Sequence, residues 1–337
     1  MSTLTASDHS VTPVPRNRTT VSVVIVSWNA QRYLAECLES LAIQCPELHP
    51  DVIVVDNASS DGSPDLIAQQ FPRVRLIRNT ENTGFARANN LGIGCSREEY
   101  VCLVNSDVKF VGDCFTPMLR YMQEHPDVAL LGPKMLSAEG EVKRSTMRFP
   151  TVWNSFCRAL ALNGAFRRSR LFGGQLMADF DHQHTMEAEV LNGWFWMARR
   201  SALEEVGLLD EQFFMYGEDI DWCYRFHQAG KRIVFFAGAE AIHYGGASSA
   251  NAPVRFYIEM HRAGWQFWSK HHGRIARMAF LASIGVHHIL RAAGYTVLSI
   301  TRPAQRGASR LKIQRSLACL GWLLGVCFGK ARERNRA

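Results

Sequence analysis

Apolar and polar positions along the chain predict strands and helices in alternation. Val21–Ser27 is dominated by β-branched residues, the pattern of a strand covered on both faces of a parallel sheet. Tyr33, Leu34, Cys37, Leu38 and Leu41 then fall at helical spacing, prolines at 46 and 50 end that helix, and residues 52–55 supply a second buried strand. The same alternation predicts strands over 74–77, 100–104 and 128–131, with helices over 86–95 and Phe115–Glu124. A series of βαβ units of this kind predicts a doubly wound α/β sheet. Residues 150–187 lose the pattern and are rich in basic and aromatic side chains, which predicts a loop-rich or mobile insertion. Beyond it the pattern predicts a strand over 189–198, a helical turn over Arg200–Val206, a helix over 220–228, a strand over 233–236 and mostly helix past residue 252.

Composition narrows the class. A chain of 337 residues with 47% hydrophobic and 20% charged residues buries a large core and is neither disordered nor collagen-like. Nine cysteines with no CxxC pair suggest neither a disulfide framework nor a zinc knuckle, and fit a reducing compartment. The net charge of +7 hides an asymmetry, because residues 270–337 hold thirteen Lys/Arg against one acid. The apolar stretches within that tail, 278–286 and 317–329, fall short of the ~20 residues a spanning helix needs, so no transmembrane helix is expected. Basic residues beside Leu, Phe and Trp at helical spacing suit an interfacial helix on an anionic leaflet, although a solvated basic helix pair packed on the domain has the same pattern. No helix-turn-helix or aromatic-rich strand motif accompanies the charge, so nucleic acid is not the expected partner. Residues 1–20, rich in Ser, Thr and Pro, read as a flexible arm without a signal-peptide core.

Ligands of doubly wound sheets bind beyond the carboxyl ends of the strands, so the polar residues after each apolar run carry the chemistry. The first strand ends in Ser27-Trp28-Asn29 and the second in Asp56-Asn57-Ala58-Ser59-Ser60-Asp61-Gly62. An aspartate there can accept from the imide N–H of uracil or thymine, while Ser and Asn can bond ribose or a base carbonyl. The same residues fit an Asx turn and helix cap, with Asp61-Gly62 as the turn. The third strand leads to Asn82-Thr83-Gly84-Phe85-Ala86-Arg87-Ala88-Asn89-Asn90, a glycine-containing helix start whose free N–H groups suit phosphate, or an ordinary glycine turn. Asn105-Ser106-Asp107 follows the fourth strand, where a carboxylate can join a hard divalent cation completed by diphosphate oxygens and water, or can simply close a turn.

The sharpest signal is Phe213-Phe214-Met215-Tyr216-Gly217-Glu218-Asp219-Ile220-Asp221, three acids within four positions at the start of an amphipathic helix. The helix dipole favours acids there but does not account for the aromatic run before them. With Glu218 and Asp221 held by backbone N–H groups and Arg225, Asp219 is left to face a cleft and deprotonate a hydroxyl. His243, in Ile242-His243-Tyr244-Gly245-Gly246-Ala247-Ser248, is either a structural imidazole or a ligand for the same cation.

Taken in order, these five segments resemble glycosyltransferase family 2, an inverting family of GT-A fold, over roughly residues 20–250. The resemblance implies a Rossmann-like α/β fold with a mixed, mostly parallel sheet flanked by helices, followed over 251–337 by a basic helical extension. It implies nucleotide-sugar contacts from Ser27, Asn29, Asp56 and Asp61, and similar roles for Asn82, Gly84, Asn89 and Asn105. The family's DxD metal motif stands here as Asn105-Ser106-Asp107, which makes Asp107 the implied ligand for Mg²⁺ or Mn²⁺ and His243 the second. The family's general base, the acid after Glu in its ED motif, maps to Asp219, with Glu218 beside it in the catalytic pair.

The Asn-x-Asp form, the Asn192-Gly193-Trp194-Phe195-Trp196 segment and the basic tail look most like the rhamnosyltransferase branch acting on polyprenyl-linked glycans. That branch implies a hexosyltransferase using dTDP-rhamnose, with a UDP-sugar as the alternative donor, and a lipid-linked cell-envelope glycan as acceptor. It also implies a cytoplasmic enzyme, peripheral on the inner face of a bacterial plasma membrane. Two readings lie outside this class. A nucleotide-sugar-binding scaffold would lack the base that Asp219 supplies, and a sugar nucleotidyltransferase needs a Gly-rich basic triphosphate loop that Ser27-Trp28-Asn29-Ala30 does not provide.

Overall fold

The computed structural model describes residues 21–45, 50–177, 180–245 and 253–328. The 1–20 arm, Pro46 and the Gly246-Ala247-Ser248 end of the last motif lie outside the described residues. The chain begins with β1 (Val21–Ser27), α1 (Gln31–Gln44), β2 (Asp51–Asp56), α2 (Ser63–Gln70), β3 (Arg75–Arg78), α3 (Phe85–Cys95), β4 (Tyr100–Asn105), β5 (Val108–Phe110) and α4 (Phe115–Glu124). It continues through β6 (Val128–Leu136), β7 (Val142–Lys143), β8 (Thr146–Met147), α5 (Val152–Ala159), α6 (Leu162–Ala165), β9 (Met186–Glu187), β10 (Val190–Leu191) and β11 (Phe195–Arg199). The last elements are α7 (Arg200–Val206), α8 (Glu218–Gln228), β12 (Arg232–His243), α9 (Pro253–His271), α10 (Arg274–Thr301) and α11 (Arg306–Cys327).

The main sheet runs β3-β2-β1-β4-β11-β6-β12-β5, with β7 beside β6 and β9 beside β12. Its first four strands are parallel, β11 is antiparallel to both neighbours, and β12 runs parallel to β6. The β-branched runs of β1 and β2 bury Val23, Val24, Ile25, Ile53, Val54 and Val55 completely. Each such side chain contributes roughly 1.5–3 kcal/mol, which fixes the register of the strands. That register sets Ser27 beside Asp56 and Val26 beside Asn105, so the polar strand ends share one edge.

Several elements differ from the sequence expectation: α2 was not expected, and β6 and β12 extend well past the strands expected over 128–131 and 233–236. The strand expected over 189–198 is broken, because Trp194 N–H turns back to the Asn192 carbonyl at 2.9 Å, sending β10 to β8 and β11 into the main sheet. Residues 150–187 contain α5 and α6, and α5 packs against α10; the Thr151 side chain caps its start by accepting from Asn154 N–H at 3.1 Å. The short strand β5 pairs antiparallel with β12 and has too few residues to show a period of its own.

Helices α9, α10 and α11 pack on one another and on the domain through Phe213, Ala263, Phe267, Trp268, Phe280 and Ile284. Among the described residues no helix is long and apolar enough to cross a membrane.

Candidate active site

Two adjoining cavities open at the polar edge of the sheet. The first, of about 250 Å³, is lined by Trp28, Asn57, Asn82, Gly84, Asp107 and His243 among others. The second, of about 490 Å³, holds Gly193, Glu218 and Asp219. Phe85, Asn105, Met215, Tyr216 and His243 border both.

Antiparallel pairing of β5 with β12 sets His243 opposite Val108 and closes a 3.1 Å bond from Tyr244 N–H to the Asp107 carbonyl. This brings His243 Nε2 to 3.1 Å from Asp107 Oδ1 and 3.4 Å from Asn105 Nδ2. Trp194 stacks on the imidazole at 5.6 Å and fixes its plane. The pair fits a hard divalent cation, because a carboxylate oxygen and an imidazole nitrogen that are neighbouring ligands at ~2.1 Å lie ~3 Å apart.

Gly84 joins the first cavity to the acidic segment. Its φ is +85°, and a Cβ there would stand 2.4 Å from the Phe214 carbonyl oxygen. Phe85 N–H donates to that same oxygen at 2.7 Å, so the start of α3 is fastened to the loop before α8. Asn57 organises the other side, donating to the Gly84 carbonyl at 3.1 Å and accepting from Asn79 Nδ2 at 2.8 Å and Thr83 Oγ1 at 3.1 Å.

At the start of α8 the three acids take three different environments. Asp221 is fully buried and meets Arg225 at 2.9 Å, Lys270 at 2.8 Å and His271 at 2.7 Å. Two of these partners come from α9, which the local sequence could not announce. Arg225 also donates to the Val206 and Leu208 carbonyls and so fixes the turn ahead of Phe213. Glu218 is 6% exposed; its own backbone N–H acts on the carboxylate, as expected, but Oε2 is buried without a partner. Burial, followed by the neighbouring Asp219 charge, pushes its carboxyl well above the usual range and so favours its protonated form.

Asp219 lines the second cavity. Burial raises its pKa, against the opposing effect of N–H donors from Ile220 and Gly193. The Ile220 bond is 2.8 Å. A carboxylate that is desolvated yet held by backbone donors is a strengthened base with a fixed direction. The Asn192–Trp194 break in the sheet is what allows Gly193 to reach it, and a Cβ on Gly193 would stand 3.5 Å from the Asp219 Cβ.

The other residues singled out from the sequence are placed as follows. Asn82, Gly84 and Asn105 line the first cavity with Asp107 and His243. Ser27 and Asp56 lie at register-matched strand ends just beneath, and Ser27 Oγ and Asp56 Oδ1 are buried without partners. Asn29 and Asp61 knit the two loops that frame this edge: Asn29 Oδ1 accepts from Ser60 N–H at 2.8 Å, and Asp61 accepts from Gln31 N–H at 2.8 Å and from Ser63 N–H at 3.0 Å. Asn89 is buried inside α3 and donates to the Phe85 carbonyl at 2.9 Å. Residues not singled out from the sequence include Asn57, whose position directly after Asp56 was its only signal, and Lys270 and His271, for which the sequence gave none.

The doubly wound sheet, its antiparallel β11 and the cavity beyond the strand ends are the GT-A architecture. The chain belongs to the family described as Glycosyl transferase family 2, whose profile matches residues 22–207, and the protein is a hexosyltransferase. The N-acetylglucosaminyl-diphospho-decaprenol L-rhamnosyltransferase of Mycobacterium tuberculosis is 27% identical over 269 residues, which cover 74% of this chain and 84% of that protein. The mannosyltransferase PcManGT from Pyrobaculum calidifontis, solved in complex with GDP-Man and Mn²⁺, superposes with a TM-score of 0.55 at 16% identity, covering 97% of this chain and 91% of that one. GalNAc-T7, solved with UDP, GalNAc and Mn²⁺, superposes with a TM-score of 0.51 at 15% identity, covering 67% of this chain and 43% of that one.

Proposed function

We propose that this hexosyltransferase transfers L-rhamnose from dTDP-rhamnose to a hydroxyl of a polyprenyl-linked glycan, with inversion at the anomeric carbon. The observation that carries the mechanism is the pair of cavities meeting at Asn105 and His243, with Asp107 on one side and Asp219 on the other. The donor diphosphate occupies the Asp107 side and the acceptor the Asp219 side. Support for the sugar and acceptor comes from the mycobacterial relative, whose name specifies both.

Trp28, Asn57, Asn82 and Gly84 form the nucleotide wall, and Asp56, with one buried oxygen free of any partner, is the acceptor for a base imide N–H. Asp107 and His243 would hold Mg²⁺ or Mn²⁺, which when bound neutralises charge on the leaving diphosphate. Asp219 takes the acceptor proton as that oxygen attacks the face opposite the diphosphate. The raised pKa of Glu218 disfavours a second negative charge beside the base.

A membrane surface is the proposed location, on the cytoplasmic face. Helix α10 leaves Ile275, Met278, Ile289, Leu290, Val297 and Ile300 exposed, and Arg274, Arg302, Arg306 and Arg310 are exposed along α10 and α11. An apolar face rimmed by cations suits an anionic leaflet.

The deciding test is calorimetric titration of dTDP-rhamnose, UDP-GlcNAc and UDP-galactose with and without Mn²⁺. Metal-enhanced, selective binding of dTDP-rhamnose is expected. Preference for a UDP-sugar would overturn the donor assignment and leave the transfer mechanism in place.

A further inference from the structure

Helices α5, α9, α10 and α11 converge on a group of cations with no neutralising acid among the described residues. Arg158 on α5 lines the same cavity as Asp219. Arg315 on α11 lies over the Tyr257 ring at 5.6 Å, and the charges of Arg291, Arg158 and Arg315 all act on that tyrosine. Among the described residues none of the three arginines has a carboxylate at ion-pair distance; the acid of α9, Glu259, pairs with Arg262 at 3.0 Å. Three N–H or ring-nitrogen positions in this group, Arg291 Nε, Arg315 Nε and His288 Nδ1, are buried without a hydrogen-bond partner.

Leaving guanidinium donors unpaired away from water costs free energy, and an anion seated among these cations would offset it. His261 and His288 do not add charge: burial together with the arginines lowers both, His288 to about 4, so they stand as neutral imidazoles bonded to each other at 3.1 Å. Cys319 lies close to this histidine pair, but burial pushes its thiol up to about 12. With no thiolate present and three arginines close by, the trio is a poor seat for a metal cation and a good one for an oxyanion.

We propose that Arg158, Arg291 and Arg315 bind the phosphate group through which the acceptor sugar is joined to its lipid, with the sugar reaching along the cavity toward Asp219. This rests on the glycosyl-transfer reading above and names the part of the acceptor that is recognised. Arginine suits the task because its planar fork of donors matches phosphate oxygens. The lipid leaves along α10, where Ile289 and Leu290 precede Arg291 and are exposed.

The test uses the full chain and farnesyl diphosphate, a prenyl diphosphate without a sugar, titrated calorimetrically into wild-type protein, R158Q and R158Q/R315Q. Arg158 has no side-chain hydrogen bond within the described residues, so R158Q is expected to fold as the wild type, checked by thermal melting. Wild type is expected to bind farnesyl diphosphate more tightly than farnesol. R158Q should weaken that binding at least about tenfold, as for one charge-assisted contact, and the double variant further. The response should persist in D107A, which separates this seat from the donor phosphate site. Equal affinity in all variants, or no preference for the diphosphate over farnesol, overturns the proposal. If the arginine variants keep farnesyl diphosphate binding but lose sedimentation with phosphatidylglycerol vesicles, the phosphate recognised is a membrane headgroup and the proposal also falls. Failure of dTDP and UDP to bind wild type, with the farnesyl diphosphate response intact, would sink the donor reading alone.

Discussion

Phe85 N–H donates a 2.7 Å hydrogen bond to the carbonyl of Phe214, although 129 positions separate the two residues, and this single bond couples the nucleotide side of the site to the acids of α8. It forms because Gly84 carries no side chain and adopts φ +85°. Gly84→Ala meets both the left-handed backbone penalty and a 2.4 Å clash with that carbonyl. A loss of about 1–3 kcal/mol in unfolding free energy is expected, read from denaturant curves. Transfer activity should fall with it, because the loop leading to Asp219 must move.

Asp219→Asn keeps the shape of the base and removes its proton affinity. A fall in kcat of ~10²–10⁴-fold is expected, with nucleotide affinity unchanged. Near-normal turnover by folded protein would exclude Asp219 as the base.

Asp107→Ala removes the carboxylate that lies 3.1 Å from His243 Nε2. Titration of the nucleotide with and without Mn²⁺ should show that the enhancement by metal is lost while metal-free binding remains. His243→Ala should reduce the same enhancement, and both variants should show the loss by metal-dependent changes in tryptophan fluorescence, since Trp194 stacks on His243.

Glu218 gives the protein a pH-dependent stability of defined sign. Burial holds its proton well above the usual carboxylate range, so across that interval the folded chain binds a proton that the unfolded chain has released. Stability therefore falls as pH rises from the ordinary Glu value toward the raised one. Urea midpoints measured from about pH 4 to about pH 8 should show this slope in wild type. Glu218→Gln, which keeps a neutral side chain of the same size, should lessen it; an unchanged slope would place the proton elsewhere.

The apolar face of α10 should govern membrane contact. Ile289→Glu with Ile300→Glu places acids at two exposed positions on it, at 58% and 68% exposure. Sedimentation with anionic vesicles is expected to drop, and high salt should release the wild-type protein because part of the attraction is ionic. Retained sedimentation in the double variant would exclude this face.

The sequence by itself determined the framework. β-branched runs such as Val21–Ser27 can be buried on both faces only in the interior of a sheet, and helical spacing between them leaves the parallel βαβ connection, so β1 to β4 and the helices α1, α3 and α4 were legible to within a residue or two at most ends, while the short α2 was not. Asp107, Asp219 and His243 could be named because each follows or begins an element whose end is a ligand edge.

What the tertiary structure decided depends on contacts between distant residues, which no local period encodes. The three-residue β5 puts Asp107 beside His243. The break at Asn192–Trp194 supplies an N–H to Asp219 from within a run that reads as unbroken strand. Lys270 and His271 reach Asp221 from α9, while Glu218 has no ion-pair partner among the described residues and burial pushes its carboxyl well above the usual range. Three identical-looking acids thus acquire three roles, because local sequence fixes where a carboxylate stands along its helix and only the packed neighbours fix the charge it carries.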